Sequence, residues 1–143
     1  MNKLNHAIDY ANAGLKVFPL WGIKDGVCGC GDPSCSSPGK HPHRLAQNGL
    51  HAGTTDEDTV SRWWGQDPDA NIGLVTGQDS GVFAVDVDIG DEKRGDLTWK
   101  ALLHDNGEVT TRSATTGSGG RHYLFRYPRG EVIRSGNNKL GPH

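Results

Sequence analysis

Apolar residues recur with two periods along this chain of 143 residues. Leu4, Ala7, Ile8, Ala11 and Leu15 lie three and four apart, as on one face of a helix, and Gly14 stands where such a helix ends. Residues 17–20 read as a short strand, placed at an edge or a strand end by Pro19, which has no N–H to donate. A second helix opens at residues 54–57. Thr54 and Glu57 match a capping box, and the acids that follow suit the positive end of the helix dipole. Val60, Trp63 and Trp64 form its apolar side. Residues 71–75 are the next strand candidate. A third helix is expected over residues 97–104, with Leu97, Ala101 and Leu102 inward and Gly107 beyond its end. Polar β-branched residues 110–115 and residues 121–127 read as strands, and Val132-Ile133 as a further short one. Helical and extended segments mix irregularly and without internal repeat, which predicts an α+β fold.

Residues 81–90, Gly-Val-Phe-Ala-Val-Asp-Val-Asp-Ile-Gly, carry the sharpest pattern. Alternation puts Asp86 and Asp88 on one face with Val82 and Ala84, and Phe83, Val85, Val87 and Ile89 on the other. Two carboxylates side by side on a buried strand repel each other and lose hydration. A divalent cation relieves both costs, and oxygen ligands suit Mg²⁺ or Mn²⁺. A strand ending at Val85 would instead leave both aspartates in a solvated loop.

Length fits one domain spanning residues 1–143. Glycine, at 21 residues, is about double the ordinary share of ~7%, so turns and close backbone approaches are expected. No run is apolar enough to span a membrane, and the first residues lack a signal-peptide pattern, so a soluble cytoplasmic protein is expected. The net charge of −2 is unevenly spread. Residues 51–110 hold four Lys/Arg against thirteen Asp/Glu, and residues 111–143 hold six against one. An acidic middle followed by a basic end fits a metal site beside a phosphate-binding surface.

Residues 25–44 are rich in Gly, Pro, Ser, Cys and His and cannot build a core. Cys28, Cys30 and Cys35 cannot all pair in internal disulfides. With one histidine, His41 or His43, they meet the four-ligand count of structural Zn²⁺, whose binding would order the loop. Free thiols on a mobile loop are the alternative. His43 is otherwise solvated, or contacts phosphate with Lys40 and Arg44.

Residues 116–122, Thr-Gly-Ser-Gly-Gly-Arg-His, join two strand candidates. The glycines allow successive N–H groups to face one anion, with the Ser118 hydroxyl as a further donor. His122 and Arg126 share one face of the second strand, and Tyr123 and Phe125 take the core face. Beside the Asp86 strand, His122 and Arg126 would stand near the metal, and a triphosphate would bridge metal and His122. A hairpin turn with a surface histidine is the plainer reading.

Taken together, these stretches resemble the archaeo-eukaryotic primase superfamily, and more closely the bifunctional primase-polymerase N-terminal domain of phage, plasmid and bacterial replication proteins. The resemblance rests on Asp86-Val87-Asp88 followed thirty residues on by Ser118-Gly119-Gly120-Arg121-His122. Residues 11–20, Gly39-Lys40-His41-Pro42, Trp63-Trp64, Ala70-Asn71-Ile72-Gly73 and Thr76-Gly77 extend it over nearly the whole chain. It implies a primase-like catalytic core with an RRM-like sheet and a small zinc-binding loop insert, with His41 as the fourth zinc ligand. It also implies template-directed nucleotidyl transfer in primer synthesis, with nucleoside triphosphates, a single-stranded DNA template and a helicase domain as partners. Asp86 and Asp88 would hold Mg²⁺ or Mn²⁺. Ser118, Gly119, Gly120, His122 and Arg126 would line the nucleotide site. The family's third acidic ligand follows a Gly-Pro turn downstream. Here Gly141-Pro142-His143 is the end of the chain and Glu131 is the only later acid. A fragment cut before that carboxylate is therefore expected, with Glu131 as the lesser substitute. A catalytically incomplete module that binds single-stranded nucleic acid or nucleotide, stiffened by zinc, is the competing expectation.

Overall fold

The helical period at the start of the chain becomes α1 (Lys3–Asn12) in the computed structural model, which describes residues 2–90, 93–137 and 139–141. The Asn2 side chain caps α1 by accepting the Leu4 N–H at 3.0 Å. Ala7 and Ala11 are buried, and Gly14 turns the chain with φ +80°. β1 (Val17–Leu20) pairs antiparallel with β4 (Asn71–Leu74), and Phe18 lies opposite Gly73. A Cβ at Gly73 would come within 2.8 Å of the Phe18 ring, so the small residue makes room for the aromatic one.

α2 covers Glu57–Gln66, and its cap is Asp56 rather than Thr54. The Asp56 carboxylate accepts the Thr59 N–H at 2.9 Å. Thr54 is held in an extended bridge to Val17, its carbonyl accepting the Val17 N–H at 2.9 Å, so that carbonyl is not free to accept the first bond of the helix. α1, α2 and β1 enclose a core of Ala7, Ala11, Val17, Val60, Trp64 and Ala70. Burying each large apolar side chain there contributes about 1.5–3 kcal/mol. The Trp64 indole N–H keeps a partner, the Ala70 carbonyl at 3.0 Å.

Two compact units divide the chain at residue 75. The first carries, besides its core, a short hairpin of β2 (Ile23–Lys24) and β3 (Val27–Cys28). Its two-residue turn is Asp25-Gly26, both at positive φ.

The second unit is a three-stranded antiparallel sheet in the order β5-β9-β8, built from β5 (Val82–Val87), β8 (Ser113–Thr115) and β9 (Arg121–Arg126). A small ladder, β6 (Ile89–Gly90) with β7 (Lys93–Arg94), leads into α3 (Gly95–Asn106). On α3 the half-buried large apolar residues are Trp99, Leu102 and Leu103, while Leu97 is 50% exposed and Ala101 is exposed. Trp99 sets the inward face because its ring stacks on Tyr123 at 4.5 Å, and Phe83 stacks on Phe125 at 5.4 Å on that side of the sheet. Val132 and Ile133 form no strand. The Ile133 N–H donates to the Tyr127 hydroxyl at 2.8 Å instead of to a ladder, and both side chains are exposed. The fold is α+β as the patterning predicts. The Gly-Pro turn expected at the chain end rests on Pro142, outside the described residues. No helix among the described residues is long and apolar enough to cross a membrane.

Candidate metal and nucleotide sites

In the first unit, β3 delivers Cys28, and a turn follows in which Gly31, at φ +80°, gives its N–H to the Cys28 carbonyl at 3.3 Å. Cys30 lies in that turn. The Asp32 side chain accepts both the N–H and the hydroxyl of Ser34, and its carbonyl accepts the Cys35 N–H at 3.2 Å. His41 is fixed by backbone pairing along the free edge of β1. Trp21 donates to the His41 carbonyl at 3.0 Å and His43 donates to the Pro19 carbonyl at 2.9 Å.

The four ligand atoms of Cys28, Cys30, Cys35 and His41 all lie within 4.8 Å of one another. Sγ of Cys28 and of Cys35 stand 3.4 and 3.5 Å from His41 Nε2. Tetrahedral zinc, with Zn–S near 2.3 Å and Zn–N near 2.0–2.1 Å, sets sulfur and nitrogen about 3.5 Å apart. The donor set and its spacing therefore fit zinc. Electrostatics point the same way. The backbone N–H groups of Cys30 and Gly39 hold the Cys28 thiol down at about 6. The Ser37 N–H pulls Cys35 downward too, but burial and the neighbouring sulfurs outweigh it and raise its pKa. Thiolates crowded at one point need a cation to coexist.

Two supports of this loop escape sequence reasoning. Asn71 on β4 donates to the Gly39 carbonyl at 3.1 Å and accepts from Lys3 Nζ at 2.9 Å, tying the loop to strand and helix. His43 is neither solvated nor free for phosphate, since it is 1% exposed and its ring sits 4.0 Å from Trp21. Its Nδ1 accepts the Leu45 N–H at 3.2 Å. Its Nε2 lies 3.2 Å from an Asp67 oxygen, outside hydrogen-bond alignment. Burial lowers the His43 pKa, with Asp67 pulling it up less strongly. The Asp25-Gly26 pair between extended residues was the available signal for the hairpin that carries Cys28.

In the second unit, Asp86 lies directly opposite His122 in the β5–β9 register, and Asp86 Oδ1 is 3.2 Å from His122 Nε2. Both side chains are about half exposed, at 56% and 50%. The strand ends at Val87, so Asp86 is inside it and Asp88 is the first residue beyond. Asp88 meets Lys93 Nζ at 2.7 Å, and that hydrogen bond raises the lysine's pKa. Two glycines press on the Asp88 backbone. A Cβ at Gly95 would come 2.6 Å from its carbonyl oxygen, and one at Gly120 would come 2.5 Å from the Val87 carbonyl and 3.4 Å from Asp88 Cα.

The turn between β8 and β9 closes through Thr116 N–H to the Gly120 carbonyl at 2.9 Å and Gly119 N–H to the Thr116 carbonyl at 3.0 Å. Ser118 is exposed, its hydroxyl 3.1 Å from that of Thr116. Gly119 takes φ +88°. Ser118 and Gly119 therefore lie in the turn that leads through Gly120 to His122. Arg126 shares the His122 face but pairs opposite Val82, at the far end of the same two strands. Glu131 is exposed beyond β9. Among the described residues the Cys3His set is the one group of three or more such ligand atoms within 4.8 Å, and Asp86, Asp88 and His122 are less tightly gathered.

The fold and these sites define an α+β protein with a zinc-type Cys3His loop and, on a separate sheet, a carboxylate–imidazole pair beside a glycine turn. The family model for the bifunctional DNA primase/polymerase N-terminal domain matches residues 7–143, so the chain belongs to that family. Neither a curated protein nor a solved structure matches it. Membership carries DNA primase/polymerase activity, a nucleotidyl transfer on DNA and nucleotides, at the level of the family.

Proposed function

We propose that the second unit carries the nucleotidyl-transfer centre of a replicative primase-polymerase, which builds DNA-templated primers from nucleoside triphosphates with Mg²⁺ or Mn²⁺. The observation that carries the reading is the Asp86–His122 pair across β5 and β9, with Asp88 and the glycine turn at the same end of the sheet. The donors suit a hard divalent ion, being carboxylate oxygens on a solvent-facing edge. Asp88 already accepts one positive charge, from Lys93. Such ions, when bound, activate the attacking 3′-hydroxyl and neutralise the triphosphate.

The chain's own groups do the rest. Asp86 engages His122 Nε2, and an imidazolium ring held there would donate its Nδ1–H to a phosphate oxygen. The Ser118 hydroxyl and the turn's N–H groups offer further donors to the triphosphate. Gly120 and Gly95 admit close backbone approach beside Asp88, which a side chain at either position would block. The Cys3His loop holds zinc in a structural role, because four protein ligands leave no position for substrate. In this reading a helicase domain in the parent replication protein is the expected partner.

Manganese-dependent incorporation of nucleotides on a primed single-stranded template tests the assignment. Asp86→Ala with Asp88→Ala should lower it more than about 100-fold, beyond the loss typical of outer-sphere metal partners, with the circular dichroism spectrum unchanged. Synthesis retained by the double variant, or wild-type protein that neither incorporates nucleotide nor binds Mn²⁺, overturns it.

A further inference from the structure

At the opposite end of β5 and β9 from Asp86 and His122 lies a cleft of about 300 Å³ lined by Gln78, Gly81, Arg126, Tyr127, Pro128 and Arg129. We propose that this cleft is a second phosphate subsite, which grips the phosphodiester backbone of single-stranded DNA rather than the incoming triphosphate. The inference rests on the nucleic-acid part of the reading above.

Three observations carry it. The first is separation. Arg126 pairs with Val82 and His122 with Asp86, four residues apart in register. At about 3.3 Å per strand residue the two points are ~13 Å apart. One triphosphate held at His122 therefore does not reach the far end of the cleft, whereas a strand lying along the sheet does.

The second is availability. Arg126 and Arg129 are exposed, and among the described residues neither guanidinium has an ion-pair partner. A guanidinium fork suits phosphate oxygens. Arg126 and Arg129 both line this cleft, and two like charges brought together there favour an anion.

The third is that backbone bonds build the cleft. The Tyr127 N–H donates to the Gly81 carbonyl at 2.8 Å, and Gly81 takes the left-handed conformation at φ +65°. The Tyr127 hydroxyl accepts the Ile133 N–H at 2.8 Å, pinning the turn through Gly130 that presents Arg129. On the face between the two ends, Ala84 is exposed and small, beside the half-buried Leu124. A strand of DNA can cross that face from the arginines to the carboxylates.

The test measures binding of oligothymidylate and oligocytidylate by fluorescence anisotropy across a salt series, alongside ATP binding. The probes are wild type, Arg126→Gln with Arg129→Gln, and the same pair changed to Lys. Each phosphate contact on a single strand contributes about 0.7 to the log–log salt slope, so the Gln pair should flatten the slope by about 1.4. Both oligonucleotides should weaken alike, ATP affinity should stay unchanged, and the Lys pair should keep the slope. If the Gln pair does not fold, Arg129→Gln alone, in an exposed turn, should flatten the slope by about 0.7. An unchanged slope overturns the proposal, as does wild type that binds neither oligonucleotide. So does weakened ATP binding with oligonucleotide binding intact, which would return Arg126 to the triphosphate site. His122→Ala in the same assays separates the two failures, since it reports on the triphosphate site alone.

Discussion

Around His41, four donors face one another across less than 5 Å and are held there by backbone bonds from β1 and β3 and by the Asn71 side chain on β4. Around Asp86 the donors face outward, half exposed, and each carboxylate is balanced by a cationic or protonatable partner, His122 for one and Lys93 for the other. The same few residue types thus build a closed centre in one unit and an open edge in the other. A closed centre spends all its ligands on one ion and so organises the chain. An open edge keeps coordination positions and hydrogen-bond donors for something that arrives and leaves. Backbone accessibility separates the two as well. Glycines near the Cys3His site serve tight turns, as at Gly26 and Gly31, whereas Gly95 and Gly120 serve close approach to the Asp88 backbone.

The largest expected effect that would break this contrast is on stability. Removing zinc with a chelator, or Cys30→Ser, should abolish a stoichiometry of one zinc per chain by metal analysis. It should also lower Tm on the order of 10 °C, because a structural site contributes several kcal/mol to folding. Protein that is fully folded, metal-free and reactive at all three thiols would reverse the assignment of roles. Next in size is an effect on binding with none on stability. His122→Ala should weaken nucleoside triphosphate binding about 10-fold or more, the value of one charge-assisted hydrogen bond, and leave Tm within about 1 °C because the side chain is half exposed. Calorimetry with ATP and a melt of the same sample decide it, and a fall in Tm without loss of affinity would make the histidine structural.

The smallest expected effect concerns His43. Burial depresses its folded-state pKa, so the unfolded chain takes up the proton first. Stability is then full above the unfolded value of about 6.5 and declines as the pH falls below it towards the folded value. Unfolding curves between pH 7 and pH 5 should show a shallower decline for His43→Gln than for wild type. Identical declines would show that His43 carries none of the loss.

Helix and strand placement was largely legible because packing sorts residues by period. The α1 face, residues 17–20 and residues 71–74 follow from spacing alone. The misplacements have physical causes. Thr54 could not act as a cap because long-range pairing to Val17 claimed its backbone. α3 turned Trp99 inward because a large ring meeting Tyr123 and Phe125 outweighs the alternative stripe through Leu97 and Ala101. Val132 and Ile133 have strand-forming side chains, but the first gives no ladder bond and the second gives its N–H to Tyr127.

By itself the sequence determined chemistry that depends on residue type and local spacing: a Cys3His set in one glycine-rich loop, a two-carboxylate strand end, a glycine turn before a histidine. Tertiary structure decided which of these groups meet. It chose His41 over His43, by running residues 41–43 along β1 so that one ring faces the sulfurs and the other is buried against Trp21. It set Asp86 beside His122 and sent Arg126 to the far end, because register between strands 36 residues apart, from Asp86 to His122, is fixed by the summed packing of the sheet and not by either strand alone.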